Sequence, residues 1–399
     1  MALTEVDPYE SFDPRDQFSG VAGDVRDPYP AFRAKRTAGP ISLNEDGMYE
    51  VYTYDLVAKV LRDNITFCSG SIRELMSVAM GPYPLVGMDE PEHKRLRSLV
   101  AQTFRQKSLA HWDQDLVVPV VDEMIDKFAG AGRAELVREF TYRYPAQVIG
   151  EILGVPREDH PFFHPRALMV TNVSARPDEG IRASQELRDY FETIVEERRK
   201  HPSSDLISDL VQVDVDGERL GDEEIYSFLR LLLPAGAETT YRATGNFLYG
   251  LLTNPDQLDA LRNDRTLMTQ GIEESIRWET PLLITSRETS CDTVFEGIEI
   301  PKGMGVVANV GSANHDPARW ERPDDFDIFR EAIPHISFGV GVHMCLGMHL
   351  ARMEMATAVN HLLDRCPNLR PDPAQWEAQD THIHGQRFRS PVALPVVFD

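Results

Sequence analysis

The sequence predicts a mainly α fold with minor β-structure, carried on a single domain spanning residues 1–399. Three observations lead there. Residues 90–280 and 338–365 carry apolar residues at steps of three and four, the signature of buried helix faces. Short β-prone runs are confined to about residues 30–60, 280–310 and 380–399. No internal repeat, low-complexity linker or compositional break divides the chain.

Taken in chain order, the first strand expected is Met48-Tyr49-Glu50-Val51-Tyr52. A helix should begin within Asp89-Glu90-Pro91-Glu92-His93-Lys94-Arg95-Leu96-Arg97, with Pro91 in its first turn. His93 and Arg97 then fall four apart on one face, and both can donate to a carboxylate. A long helix is predicted over residues 222–252, with Asp222, Glu223 and Glu224 at its positive end. Asn254 is placed to cap the next helix and Pro255 to occupy its first turn. Ile225, Phe228, Leu232, Ala235, Thr239, Ala243 and Phe247 mark one apolar stripe along the long helix. Glu274 and Arg277, three apart on a later helix, can pair. Thr293-Val294-Phe295-Glu296-Gly297-Ile298-Glu299-Ile300 reads as two strands around a tight turn. Residues 315–337 read as an ordered, irregular loop, and residues 392–398 as a terminal strand.

Composition narrows the function. The hydrophobic fraction is 42%, the charged fraction 26% and the formal net charge −23. Nucleic acid and anionic membrane surfaces, which need basic partners, are disfavoured. Cys68, Cys291, Cys345 and Cys366 are scattered, without CxxC or zinc spacing, which suits a reducing compartment. The N-terminus shows no charged-then-apolar signal pattern, and no apolar run reaches membrane-spanning length. The expectation is a cytoplasmic protein without a membrane anchor.

Cys345 is the most informative residue. It lies in Phe338-Gly339-Val340-Gly341-Val342-His343-Met344-Cys345-Leu346-Gly347, directly before an amphipathic helix. Glycines let the backbone turn tightly and approach a flat ligand. Free N–H groups at a helix start stabilise a thiolate, and a thiolate so held is a strong axial ligand for haem iron. A lone cysteine is more often a small buried hydrophobe; the surrounding constellations decide against that here. In Leu233-Pro234-Ala235-Gly236-Ala237-Glu238-Thr239-Thr240, Ala235 and Gly236 leave room for a flat ligand. Beside them Glu238 and Thr239 offer a carboxylate and a hydroxyl for proton delivery. The alternative is a bent core helix with Thr239 bonded to its own backbone.

Together these segments resemble the cytochrome P-450 family, in particular its soluble bacterial haem-thiolate monooxygenases, over nearly the whole chain. The FGxGxHxCxG, AGxETT and ExxR stretches carry the resemblance, in the order the family shows. It implies a triangular helical prism with small β-sheets around a buried haem b (iron protoporphyrin IX). Cys345 is then the metal ligand, through an axial thiolate. Phe338 packs near the sulfur, while Gly339 and Gly347 allow close approach to the haem. His93, Arg97, Arg287 and His343 hold the two propionates. Glu238 and Thr239 form the catalytic acid–alcohol pair, and Glu274 and Arg277 the structural pair. A third member of that network comes from Arg322 or Arg330. The sequence departs from the family at Glu90, where a proline is usual, and at Pro234.

The implied reaction inserts one oxygen atom of O2 into a lipophilic small molecule, as hydroxylation or epoxidation. No flavin or iron–sulfur domain fits in the remaining chain. Electrons should therefore come from a separate ferredoxin and an NAD(P)H-dependent ferredoxin reductase, acting on a monomer. Lys94, Arg95, Arg105 and Lys107 are either a docking patch for an acidic ferredoxin or scattered solvated charge. The substrate pocket is expected to draw on the loop at residues 69–88, the region 165–180 and the tail turn. Leu85, Val86, Leu232, Leu283, Ile284 and Phe388 are the named lining residues. Arg73 or Arg387 could meet a substrate carboxylate, or both are simply solvated. The rival readings are a peroxide-driven haem-thiolate enzyme and a haem-binding sensor.

Overall fold

The computed structural model describes residues 26–104, 111–171, 173 and 176–399. Helices α1 (Tyr29–Ala38) and α2 (Tyr54–Arg62) alternate with strands β1 (Ile41–Leu43), β2 (Tyr49–Val51) and β3 (Phe67–Cys68). Helix α3 (Gly70–Met80) occupies most of the stretch read as a loop at 69–88, and α4 (Glu92–Ala101) follows. Pro91 sits just ahead of α4 rather than inside it.

The main helical body comprises α5 (Val118–Ala129), α6 (Tyr144–Leu153), α7 (His160–Thr171), α8 (Pro177–Lys200) and α9 (Leu206–Gln212). It continues through α10 (Asp222–Thr253), α11 (Pro255–Asn263), α12 (Met268–Trp278), the short α13 (Val310–Asn314) and α14 (Met348–Arg365). Strand β4 (Arg133–Glu135) interrupts this body in a region the sequence reads as mainly helical. It exists because the chain end returns to pair with it.

Helix α10 organises the molecule. Its 32 residues span about 48 Å at 1.5 Å per residue. Three acidic residues fill its first turn, and Glu224 Oε2 accepts from the Gly221 N–H at 2.9 Å. Helices α6, α7, α8, α12 and α14 all pack on it. Pro234 leaves the Arg230 carbonyl without its helical donor, yet α10 continues unbroken across it. At the far end, Asn254 occupies the N-cap position of α11, but its side chain does not cap that helix. Its amide Nδ2 donates to the Gly250 carbonyl at 2.8 Å and so satisfies an orphan acceptor of α10 instead.

Strands β5 (Thr285–Thr289), β6 (Thr293–Phe295), β7 (Ile298–Ile300) and β8 (Gly305–Ala308) follow α12. The five-stranded sheet has the order β1-β2-β8-β5-β3, with β2 and β8 parallel. Glu296 (φ +49°) and Gly297 (φ +81°) make the expected tight turn between β6 and β7. Residues 315–337 contain no helix or strand. They are pinned by Asn314, whose Nδ2 donates to Ser337 Oγ at 2.8 Å and whose Oδ1 accepts from Ile336 N–H at 3.1 Å. The chain closes with β9 (Arg370–Pro371), β10 (Ile383–His384), β11 (Ser390–Pro391) and β12 (Pro395–Val397). The terminal strand is shorter than predicted and pairs with both β4 and β9.

Two apolar cores result. One surrounds α10 and includes Ile149, Phe163, Leu229, Phe247 and Leu362. The other lies against the five-stranded sheet and includes Val51, Leu61, Phe67, Val306 and Trp320.

Candidate active site

The loop entering α14 is shaped by its glycines. Gly339 (φ +69°) and Gly341 (φ +82°) adopt left-handed backbone that side chains rarely tolerate. A Cβ on Gly341 would also stand 2.7 Å from the Leu61 carbonyl oxygen, so the loop is pressed onto the end of α2. The Cys345 N–H donates to the Phe338 carbonyl at 2.8 Å and closes the loop. Burial raises the Cys345 thiol pKa, while the Gly347 N–H, Arg97 and Arg352 pull it down. The residue is nonetheless reachable by solvent. A sulfur in such surroundings becomes a thiolate most readily against a cation. Arg352 lies 4.4 Å over the Phe338 ring and belongs to the same group.

Helix α10 opens in its middle. Ile225, Phe228, Leu232, Ala243 and Phe247 are buried as the stripe predicts, but Ala235 is exposed and Thr239 half-buried. Thr239 Oγ1 donates to the Ala235 carbonyl at 2.8 Å, which leaves its oxygen able to accept. Gly236 departs from expectation. A Cβ there would stand 2.6 Å from Ile149 Cδ1, so this glycine makes room for α6. One residue along a helix turns the side chain by about 100°, which separates Ala235 from Gly236. Glu238 is buried, and its Oε1 accepts from Arg242 Nη2 at 3.0 Å. Burial raises its pKa and Arg242 opposes this. Glu238 and Thr239 are therefore adjacent but engaged with different partners.

His93, Arg97, Arg287 and His343 converge as predicted. The rings of His93 and His343 lie 4.2 Å apart, and His343 Nε2 is 3.1 Å from Ser69 Oγ. His93 is buried and neither ring nitrogen has a hydrogen-bond partner; the nearest carboxylate, Glu90, is 3.8 Å away. Burial and the charges of His93, Arg287 and Arg97 depress the His343 pKa to about 3. Arg97 donates to the Met344 carbonyl and Arg287 to that of Ser286. Buried cations require anions, so the cluster suits carboxylates supplied by a ligand.

The structural pair forms a wider clamp. Arg277 Nε and Nη2 each lie 2.8 Å from an oxygen of Glu274. Arg330 Nε reaches Glu274 Oε1 at 3.1 Å, whereas Arg322 is exposed and pairs with Asp325 and Asp327. Arg330 is thus the third member. Arg277 also donates to the carbonyls of Asn314, Pro323 and Asp325, tying α12 to the loop before Cys345.

The expected lining is mixed. Leu85, Leu232 and Leu283 are buried in the protein, Val86 is exposed, and Ile284 and Phe388 are half-buried. Of the cations near α4, Arg95 is neutralised by Glu224 and lies 3.8 Å from Glu218, which removes it from a docking patch. Lys94 is exposed; Arg105 and Lys107 lie outside the described residues. The sequence reading missed Arg242, Arg352 and Ser69. Only Arg242 left a signal, its four-residue spacing from Glu238.

Comparison with known proteins places these features. The family model Cytochrome P450 matches residues 158–381. The chain is 36% identical over 356 residues to putative cytochrome P450 YjiB of Bacillus subtilis, covering 87% of this chain and 89% of that protein. It is 34% identical to cytochrome P450 monooxygenase PikC of Streptomyces venezuelae, covering 88% and 86% respectively. The crystal structure of CYP109E1 from Bacillus megaterium in complex with testosterone superposes with a TM-score of 0.86 at 30% identity, covering 94% of this chain and 99% of that one.

The chain belongs to the cytochrome P450 family. It is a monooxygenase that inserts one oxygen atom of O2 into a lipophilic small molecule, and the family's cofactor is haem b with a cysteine thiolate as axial ligand. The residues present fit that group. A deep, reachable sulfur, a helix opened at Ala235 and a cationic cluster with an orphaned histidine match iron, ring and propionates. A Cβ on Gly347 would meet no protein atom within 4 Å, so packing within the protein does not demand that glycine. No helix among the described residues is long and apolar enough to cross a membrane.

Proposed function

We propose that Cys345 is the axial ligand, that His93, Arg97, Arg287 and His343 hold the propionates, and that Glu238 and Thr239 manage protons. The observation that carries this reading is the deep yet reachable sulfur on a loop that only glycines can turn. When bound, haem supplies O2 activation and transfer of one oxygen atom to substrate. The protein does the rest. Arg97, Arg352 and the Gly347 N–H stabilise negative charge on Cys345 Sγ. The Thr239 hydroxyl, its proton given to the Ala235 carbonyl, accepts a hydrogen bond from a ligand in the opening. Glu238, whose pKa is raised by burial against the pull of Arg242 and Arg387, holds a carboxylate within one residue of Thr239 that exchanges a proton when the Arg242 pair loosens. The apolar wall excludes water.

Electrons come from a ferredoxin served by a reductase, and the enzyme works as a cytoplasmic monomer, its whole chain one unit around the haem. The experiment is Cys345→Ala. The reduced carbon monoxide complex should lose the red-shifted band of a thiolate-ligated haem. Persistence of that band would refute the ligand assignment.

A further inference from the structure

The turn between β10 and β11 carries two arginines in opposite circumstances. Arg389 is buried and bound by Glu279, Nε to Oε1 at 2.6 Å. Arg387 forms no ion pair among the described residues, and its Nε is sealed from solvent without a hydrogen-bond partner. The one carboxylate acting on it is Glu238, which Arg242 already holds at 3.0 Å. Two guanidinium charges therefore share one carboxylate in a low-dielectric place. Burial lowers the Arg387 pKa accordingly. Its position is well fixed: the Arg387 carbonyl accepts from the Leu283 N–H at 2.7 Å, and Leu282 bridges to Phe388. The Arg387 guanidinium lies 5.8 Å from the half-buried Phe388 ring and within electrostatic reach of Glu238, the residue before Thr239, while its backbone pairs with Leu283, the residue before half-buried Ile284. The propionate cluster is built on other elements: His93 and Arg97 on α4, Arg287 on β5 and His343 in the loop before α14.

We propose that Arg387 anchors an anionic head group of the substrate, and that the substrate class is a lipophilic monocarboxylate whose apolar body lies along Ile284 and Phe388. A planar guanidinium short of a partner matches a carboxylate with two parallel hydrogen bonds. The other candidate cation, Arg73, is already 3.4 Å from Glu92 and exposed. The proposal rests on the P450 reading of the cleft and deepens it.

The test is calorimetric binding of dodecanoate, its methyl ester and dodecan-1-ol to holoenzyme at neutral pH. Haem content and the reduced carbon monoxide spectrum are read first on each sample, so failure of the P450 reading shows there and nowhere else. Wild type should bind the acid at least about tenfold more tightly than the ester or alcohol. Arg387→Met should abolish that preference at unchanged haem content, and Arg387→Lys should keep part of it and serves if the first variant does not fold. Equal binding of all three, binding of none, or acid preference retained in Arg387→Met would overturn the proposal. So would loss of haem from the variant, because the arginine would then serve the cofactor.

Discussion

Thr239 shows how much a single hydroxyl is asked to do. Its hydrogen bond to the Ala235 carbonyl was the plain structural alternative in the sequence, and the structure contains it. That bond does not exclude a functional role, because it orients the oxygen as an acceptor at the one place where α10 opens. Thr239→Ala should leave haem binding intact and divert electrons to peroxide. Product formed per electron pair is expected to fall roughly a hundredfold, at the low end of what positioned proton donors contribute. Parallel assays of NAD(P)H consumed, peroxide and product decide this; unchanged coupling would remove Thr239 from proton handling. Glu238 differs in kind. Its carboxyl is tied to Arg242, so delivery from it requires that pair to loosen.

Among the elements, the loop entering α14 was the most legible, because glycine spacing around a cysteine has few other physical meanings. Gly341 shows the cost of that shape. Gly341→Ala would place a Cβ 2.7 Å from a backbone carbonyl on a residue at φ +82°. The strain alone costs about 1–2 kcal/mol, and backbone cannot swing aside as a side chain could. A drop of at least about 2 kcal/mol in urea unfolding is expected; unchanged stability would mean the loop does not bear on α2. Other features could not be read from the chain. Gly236 faces α6 only because Ile149 arrives there, a fact of packing rather than of helical spacing. Strand β4 has three residues and takes its partners from the chain end, leaving no local signal. Arg330 prevails over Arg322 for Glu274 because the irregular loop carries one inward and leaves the other exposed. The helical stripe of α10 was predicted whole, and its interruption at Ala235 and Thr239 is where tertiary structure turned periodicity into a site.

At the scale of the whole molecule, buried and half-buried ion pairs tie the helical body to the thiolate loop, and they make stability depend on acid. Glu273 on α12 lies 2.8 Å from Arg352 of α14 and 3.3 Å from His335. Burial alone would raise its pKa, but the hydrogen bonds and charges of Arg352 and His335 win and lower it from 4.5 to about 2. A carboxylate with a depressed folded-state pKa binds protons more weakly folded than unfolded. Its stabilisation is thus complete above about pH 4.5 and disappears as pH falls from there through about 2. At about 1.4 kcal/mol per unit, the contribution is on the order of 3 kcal/mol. Glu273→Gln should lower stability at pH 7 and flatten the acid limb between those values, so that wild type and variant converge at low pH. Urea unfolding of both proteins across that range checks it. Parallel curves with a constant gap would show that Glu273 acts through packing instead. Because Arg352 also lies over Phe338 and lowers the Cys345 pKa, the variant should release haem at a higher pH than wild type, coupling the clamp to the ligand it supports.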